Sequence, residues 1–380
     1  MENFSVFNPV HVHFGKGVIG ELAETVQTYG KKVLLMYGGG SVKKNGSYQD
    51  VMIQLEIANA QVFEFAGIKS NPVISDVQKA ITLGVENQVD MIVALGGGSV
   101  IDSAKIVSVC IPDNLDPWEV MKSIVQPIKE IPLIAILTLA ATGTEMNAAA
   151  VIQNPDTQEK NGFVHPLMYP KHSFLDPVYT FSVSPEYTAY GIVDLIAHTF
   201  EAFFAKGDAP LADRFIQSIV LETMRYANLV LKEPDNYEYR ANILWQSTCA
   251  LNGITSYGRA TSGDWGVHNI GHTLSFLYDT PHGASLSIVY PAWLRLQQKR
   301  IPDRIMHLAK LLFNTNSFDD FLLKLKSFFK QIKAPVSLAE IGIGKDKSQE
   351  IIDLLNKNKA SGLYHKLSND DHQTLVSYML

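Results

Sequence analysis

Two segments of this chain share one grammar. Lys32–Tyr37 (KVLLMY) runs directly into Gly38-Gly39-Gly40-Ser41, and residues 90–95 (DMIVAL) run into Gly96-Gly97-Gly98-Ser99. A short, almost unbroken apolar run is the pattern of a strand buried on both faces. A glycine turn followed by an amphipathic stretch is the strand–turn–helix step of a parallel sheet. The amphipathic stretches are present at 49–59 and 75–87. His11–Phe14 reads as an edge strand and Gln61–Phe65 as a further strand. Residues 132–139, 148–153 and 173–175 add three more. The expected architecture is a doubly wound α/β sheet, in which ligands bind at the carboxyl ends of the strands.

Beyond Asp176-Pro177 the strand signal fades. Ser184-Pro185-Glu186 has the composition of a helix start: a hydroxyl cap, proline in the first turn and an acid beside it. Apolar residues then recur at helical spacing through 213–231, 239–252, 284–298, 302–313, 318–332 and 347–355. Two domains are expected: a dinucleotide-binding α/β domain over residues 1–180 and an all-α metal-binding domain over 181–380.

Composition narrows the function. With 380 residues, 46% hydrophobic and 18% charged, the chain can bury a large core. The net charge of −6, with no basic run, argues against nucleic acid as a partner. Cys110 and Cys249 lie among apolar neighbours and read as free buried thiols of a reducing compartment. The opening MENFSVFNPV lacks the basic start and apolar core of a signal peptide. The longest apolar run, 131–141, contains Pro132 and is too short to span a bilayer. A soluble cytoplasmic protein with no membrane partner is expected.

The second glycine cluster carries the sharper chemistry. In GGGSVIDSAK, Gly97 and Gly98 let the backbone approach a phosphate, and Ser99 is placed to cap the helix that begins near Val100. That helix would aim its N–H groups at an anion. The alternative is a plain strand-to-helix turn. After the first cluster no acid stands where an NAD site places one for the ribose 2′-hydroxyl, while Ser41, Lys43 and Lys44 are at hand for a 2′-phosphate. This leans towards NADP(H). Thr138, Thr142 and Asn147, around a further strand end, are candidate cofactor contacts. Lys160, in a polar glycine-containing stretch read as a loop, is a candidate for the ribose or nicotinamide.

A second constellation lies in GIVDLIAHTFE at 191–201. Asp194 and His198 are four residues apart and share a helix face. His268 and His272 repeat that spacing, and His282 follows in DTPHGAS. One carboxylate and three imidazoles suit a divalent transition metal, zinc or iron. A side-chain hydrogen bond is the plainer meaning of any single pair.

Taken together, GGGSVID at 96–102, TLAATGTE at 138–145, DPVYT at 176–180, GIVDLIAHTFE and the His268 and His282 segments resemble the iron-containing (group III) alcohol dehydrogenases. The likeness covers nearly the whole chain. YGGGSVKKNG at 37–46 and DPWEVM at 116–121 are most similar to its NADPH-dependent butanol dehydrogenase and broad-range aldehyde reductase branch. The resemblance implies a dehydroquinate synthase-like fold, a Rossmann-like domain followed by an all-helical one, and commonly a homodimer. It implies Asp194, His198, His268 and His282 as metal ligands. For the cofactor it implies Gly39, Ser41, Asn71, Gly97, Gly98, Ser99, Asp102, Thr138, Thr142, Asn147, Lys160 and Tyr179. Ala140 stands where the family usually has proline, Ser70 opens SNP where PNP is usual, and Phe276 is bulkier than the family's residues there. The expected activity is reversible hydride transfer between NADP(H) and a primary alcohol or aldehyde such as butanol or butyraldehyde, with His272 relaying the proton. Val151, Phe181 and Trp265 are candidates to line the substrate pocket. The rival reading is a polyol or sugar-phosphate enzyme of the same fold. A cyclase would need cations for a substrate phosphate, and Arg259 is the nearest candidate.

Overall fold

The computed structural model describes all 380 residues. The chain forms two compact units. A sheet unit comprises Phe7–Val183 and Pro234–Thr248. A helical unit comprises Met1–Val6, Ser184–Glu233 and Cys249–Leu380.

In the sheet unit the strands are β1 (His11–Phe14), β2 (Lys32–Tyr37), β3 (Gln61–Phe65), β4 (Met91–Gly96), β5 (Leu133–Leu137), β6 (Ala149–Asn154), β7 (Glu159–Val164) and β8 (His172–Leu175). Six of them form one sheet in the order β1-β8-β5-β4-β2-β3, and every pairing is parallel. The apolar runs of β2, β4 and β5 lie at its centre. Their side chains alternate into two cores: Leu34, Met36, Ile92 and Ala94 into one, Val33, Leu35, Met91 and Val93 into the other. A strand with both faces covered has no use for polar alternation, which is why these runs are unbroken.

Helices α1 (Leu22–Gln27), α2 (Ser41–Lys44), α3 (Ser47–Ile57), α4 (Ile74–Asn87), α5 (Gly98–Cys110) and α6 (Pro117–Met121) fill the crossovers. The helical unit is built from α7 (Pro185–Phe204), α8 (Pro210–Lys232), the last turn of α9 (Tyr237–Leu251), α10 (Gly266–Tyr278), α11 (His282–Gln297), α12 (Pro302–Phe313), α13 (Phe318–Gln331), α14 (Ser348–Lys357) and α15 (Asn369–Met379). The protein thus has a parallel sheet with helices in its N-terminal part and a helical C-terminal part. No helix is long and apolar enough to cross a membrane.

Three local expectations are corrected. Lys160 lies in a strand, not a loop: β7 pairs antiparallel with β6 from Ala149↔Val164 to Asn154↔Glu159. Glu159, Asn161 and Gly162 have weak strand propensity, and the pairing with β6 overrides it. Ser99 does not cap α5, which begins at Gly98 with Gly97 as its unaided cap; the Ser99 hydroxyl donates instead to the Ser70 carbonyl. Cys249 is only half-buried, while Cys110 is fully buried, and burial pushes its thiol up to about 12.

One polar cluster is built into the core of the sheet unit. Lys105, on α5, is fully buried. Its Nζ donates to Thr144 Oγ1 at 2.7 Å, Asn147 Oδ1 at 3.0 Å and the Ala149 carbonyl at 2.7 Å. Thr144 passes a hydrogen bond on to Asp102 Oδ1 at 2.6 Å, and Asp102 Oδ2 accepts from the Val151 N–H at 2.9 Å. Burial pulls the Lys105 ammonium down to about 8, against the opposing charges of Asp102 and Glu145. Three oxygen acceptors around one nitrogen match the three protons of an ammonium, so the charged form is the one the site fits. Replacing Lys105 by Met keeps the bulk but leaves those acceptors, and the Asp102 carboxylate, without their cation. The expected cost is about 3–5 kcal/mol, the usual penalty for breaking a buried charge network, read as a lower urea midpoint. A midpoint unchanged from wild type would show that the cluster adds no stability.

Candidate metal centre and cofactor loops

From Gly191 to Phe204 every residue of α7 is buried. A helix buried all round is the core of its unit. Asp194, His198 and Glu201 interrupt its apolar sequence at spacings of four and three, which places them along one stripe. The Ser184 hydroxyl caps this helix, accepting from the Tyr187 N–H at 3.2 Å. Helix α10 brings His268 and His272, and α11 begins at His282. The residue after His282 has to be glycine: a Cβ on Gly283 would lie 2.1 Å from the Tyr190 carbonyl oxygen of α7. That close approach puts His282 within reach of the α7 stripe.

The four donors meet around one atom. Asp194 Oδ1 is 3.7 Å from His198 Nε2, 3.7 Å from His268 Nε2 and 3.6 Å from His282 Nε2. These separations are too long for hydrogen bonds. Asp194 Oδ1 and His268 Nε2 are buried with no hydrogen-bond partner in the protein. Bonds of about 2.0–2.2 Å in a tetrahedral arrangement hold ligand atoms about 3.3–3.6 Å apart. The spacing around Asp194 therefore fits a shared cation. The tightest trio is Asp194, His268 and His282, with donor atoms within 4.8 Å of one another. His198 joins through the same carboxylate oxygen.

The charges agree with this geometry. Burial pushes the Asp194 carboxyl up, but His198, His282 and His268 together outweigh it and hold it well below the usual carboxylate range. Burial takes His198 down to about 4. His268 moves the other way, to about 9: burial pulls it down, and its carboxylate neighbours Asp194 and Glu201 more than reverse that.

Glu201 was missed in the sequence. Its Oε1 is 2.8 Å from His268 Nδ1 and accepts from the His268 N–H at 3.1 Å, and its Oε2 accepts from the Trp265 N–H at 2.5 Å. A carboxylate on Nδ1 turns the bare Nε2 towards the cation site, the usual support for a ligating imidazole. The signal was present: Glu201 lies seven residues after Asp194 and three after His198, on the same stripe. His272 is buried, with its ring 5.6 Å from that of His282. The Trp265 ring stands edge-on, 5.2 Å from the His268 ring and 6.1 Å from that of His198.

The twelve residues expected at the cofactor all lie in the sheet unit. Several gather at the carboxyl ends of β4 and β5. The Thr138 N–H donates to the Gly96 carbonyl at 3.0 Å, and a Cβ on Gly98 would lie 2.7 Å from Thr142 Oγ1. Glycine at 98 thus keeps the first turn of α5 bare, as a phosphate cradle requires. Asn71 joins from the next loop, its Oδ1 accepting from Lys160 Nζ at 2.9 Å. Asp102 and Asn147 belong to the Lys105 cluster described above. Gly39 and Ser41 follow β2 separately from the β4–β5 group. The Tyr179 hydroxyl is buried and donates to Asp50 Oδ2 at 2.9 Å. Lys43 Nζ stands over the rings of Tyr48, at 4.7 Å, and Tyr37, at 5.4 Å.

Comparison with known proteins decides the family. Residues 9–177 match the model of the iron-containing alcohol dehydrogenases, and 188–379 match that of the C-terminal part of the same family. The chain belongs to the iron-containing alcohol dehydrogenase family. Among its relatives, the probable NADH-dependent butanol dehydrogenase 1 of Bacillus subtilis is 39% identical, with both chains fully covered. The NADPH-dependent aldehyde reductase YqhD of Escherichia coli is 36% identical over 98% of this chain and 96% of its own. The crystal structure of an NADH-dependent butanol dehydrogenase A from Thermotoga maritima superposes with a TM-score of 0.94 at 37% identity, covering 100% of this chain and 99% of that one. Alcohol dehydrogenase or aldehyde reductase chemistry with a nicotinamide cofactor and a divalent metal follows from membership.

In this member of the family Arg259 is no phosphate receptor. It is buried, pairs with Asp213 and donates to the Gly207 carbonyl at 2.9 Å. Two substitutions probe the centre. His268→Ala should yield a folded protein that purifies with little metal. Glu201→Gln should keep the ligands but weaken metal affinity roughly 10- to 100-fold. Metal analysis and chelator competition read both; full metal content in His268→Ala would remove that residue from the ligand set.

Proposed function

We propose that this protein is a metal-dependent NADP(H)-linked alcohol dehydrogenase and aldehyde reductase acting on primary aliphatic substrates such as butanol and butyraldehyde. The observation that carries the proposal is the buried Asp194 oxygen, unpartnered within the protein, with three imidazole nitrogens 3.6–3.7 Å away. Asp194, His198, His268 and His282 would hold the ion, and zinc and iron(II) both suit this donor set. A divalent ion there supplies Lewis-acid polarisation of a carbonyl and stabilises the charge that develops as hydride arrives.

The protein's own residues do the rest. Asp194 offsets part of the ion's charge. Glu201 fixes the orientation of His268. His272, buried beside His282, is our candidate to hand the substrate oxygen its proton, since imidazole both gives and takes one near neutrality. Trp265 packs edge-on against the rings of His268 and His198.

On the cofactor side, Gly97, Gly98 and Ser99 open α5, whose first-turn N–H groups suit a pyrophosphate. Thr138, Thr142, Asn71 and Lys160 cluster around that turn, and Asp102 is held in place through Thr144. The preference for the 2′-phosphorylated coenzyme rests on β2, which ends in glycines without a carboxylate and is followed by Ser41, Lys43 and Lys44. Relatives named for either coenzyme share the fold, so this preference belongs to the local residues.

Metal-loaded protein mixed with NADPH and a straight-chain aldehyde series should consume the reduced nicotinamide, fastest near butyraldehyde. No turnover with either coenzyme across the series would overturn the assignment. The coenzyme preference has its own test. A Cβ on Gly39 meets no atom within 4 Å, so Gly39→Asp introduces a carboxylate without steric cost. It should lower kcat/KM for NADPH at least about tenfold relative to NADH, the size of a 1.4 kcal/mol repulsion. An unchanged ratio would show that the 2′-phosphate lies elsewhere.

A further inference from the structure

The edge of the large sheet carries a second group of histidines, unconnected with the Asp194 centre. His11 and His13 are two apart on β1, so their side chains leave the same face of the sheet. The β1–β8 register sets His172 directly opposite His11. The His13 ring stacks on both others, with centroids 4.4 Å from His11 and 5.3 Å from His172, and His11 lies tilted to His172 at 5.1 Å. One nitrogen from each lies within 4.8 Å of the others.

The outer nitrogens of two of these rings are already engaged. His13 Nδ1 is 2.6 Å from Glu21 Oε2, and His172 Nε2 is 3.1 Å from the Tyr29 hydroxyl. A neutral His13 giving its proton to Glu21 presents a bare Nε2, and that atom faces His172 Nδ1 at 3.0 Å. When His172 gives its proton to Tyr29, two lone pairs point at one another beside a third imidazole. Tetrahedral ligands of a zinc-sized ion sit about 3.3 Å apart, within a few tenths of an ångström of the separation found. Glu21 behind His13 repeats the arrangement of Glu201 behind His268.

We propose that His11, His13 and His172 form a second site for a divalent late-transition cation such as zinc, with Glu21 orienting His13. An ion there would tie the four-residue edge strand β1 to β8. The ligand type suits zinc, nickel or copper rather than calcium or magnesium, which prefer oxygen.

The test counts metal. Holoenzyme with its Asp194 centre filled is dialysed against excess zinc(II), and zinc per chain is measured beside aldehyde turnover. Wild type should hold one zinc more per chain than His11→Ala/His13→Ala, with turnover unchanged between them. Equal zinc in the two proteins overturns the proposal and shows that the cluster is a hydrogen-bonded stack. Should the double variant fail to fold, Glu21→Gln serves: its second zinc should bind about 10- to 100-fold more weakly, and unaltered binding overturns the proposal equally. Because the readout is zinc bound at the sheet edge, its result is independent of whether the Asp194 centre reduces aldehydes.

Discussion

The helical unit turns on a single carboxylate. Asp194 sits in the stretch of α7 that is buried all round, where an unpaired charge costs several kcal/mol. Nothing in the protein donates a hydrogen bond to its Oδ1. Three imidazoles face it from α7, α10 and α11, each about half an ångström too far for a hydrogen bond. An arrangement that leaves an acid unsatisfied and surrounds it with bases a little out of reach has the spacing that a cation between them would satisfy. The packing of α10 and α11 against α7, down to the bare Cα of Gly283, serves that spacing.

The two units solve a common problem by different means. In the helical unit a buried carboxylate oxygen has no partner within the protein and is spaced for an ion supplied from outside. In the sheet unit the charge is met from within, by Lys105 and its three oxygen acceptors. That cluster also fixes Asp102 one turn into α5, its oxygens held by Thr144 and the Val151 N–H. A carboxylate so held cannot swing away when the strand-end loop is empty. The Lys105 cluster therefore shapes the first turns of α5, the candidate cofactor turn, through Asp102.

What could be read from the sequence follows the range of the interactions. The apolar runs of β2, β4 and β5 and the i,i+4 pair Asp194/His198 are local patterns, and they pointed to the sheet and to the polar stripe of α7 that carries the candidate metal centre. The role of Lys105 has no local signal, because its acceptors lie some forty residues away in Thr144, Asn147 and Ala149. The strand character of Lys160 escaped for the same reason: β7 exists through its pairing with β6, not through its own composition. Glu201 was in plain view on the stripe but had no visible partner until α10 folded back beside it. Ser99 obeys a rule of helix starts in composition and departs from it in fact, since the Ser70 carbonyl takes its proton.

The histidines of the sheet edge show the same limit from the other side. His11 and His13 look in sequence like polar residues of an exposed edge strand, and His172 like the residue just before a distant one. Only the parallel register makes them neighbours. An edge strand of four residues has one paired side and little area to bury, so it contributes few contacts of its own. Stacking imidazoles there adds contact but also crowds three basic rings, which adds to burial in driving His172 away from its protonated form. The hydrogen bonds to Glu21 and Tyr29 and between His13 and His172 offset part of that crowding. The proposed cation would add to them by engaging all three rings at once.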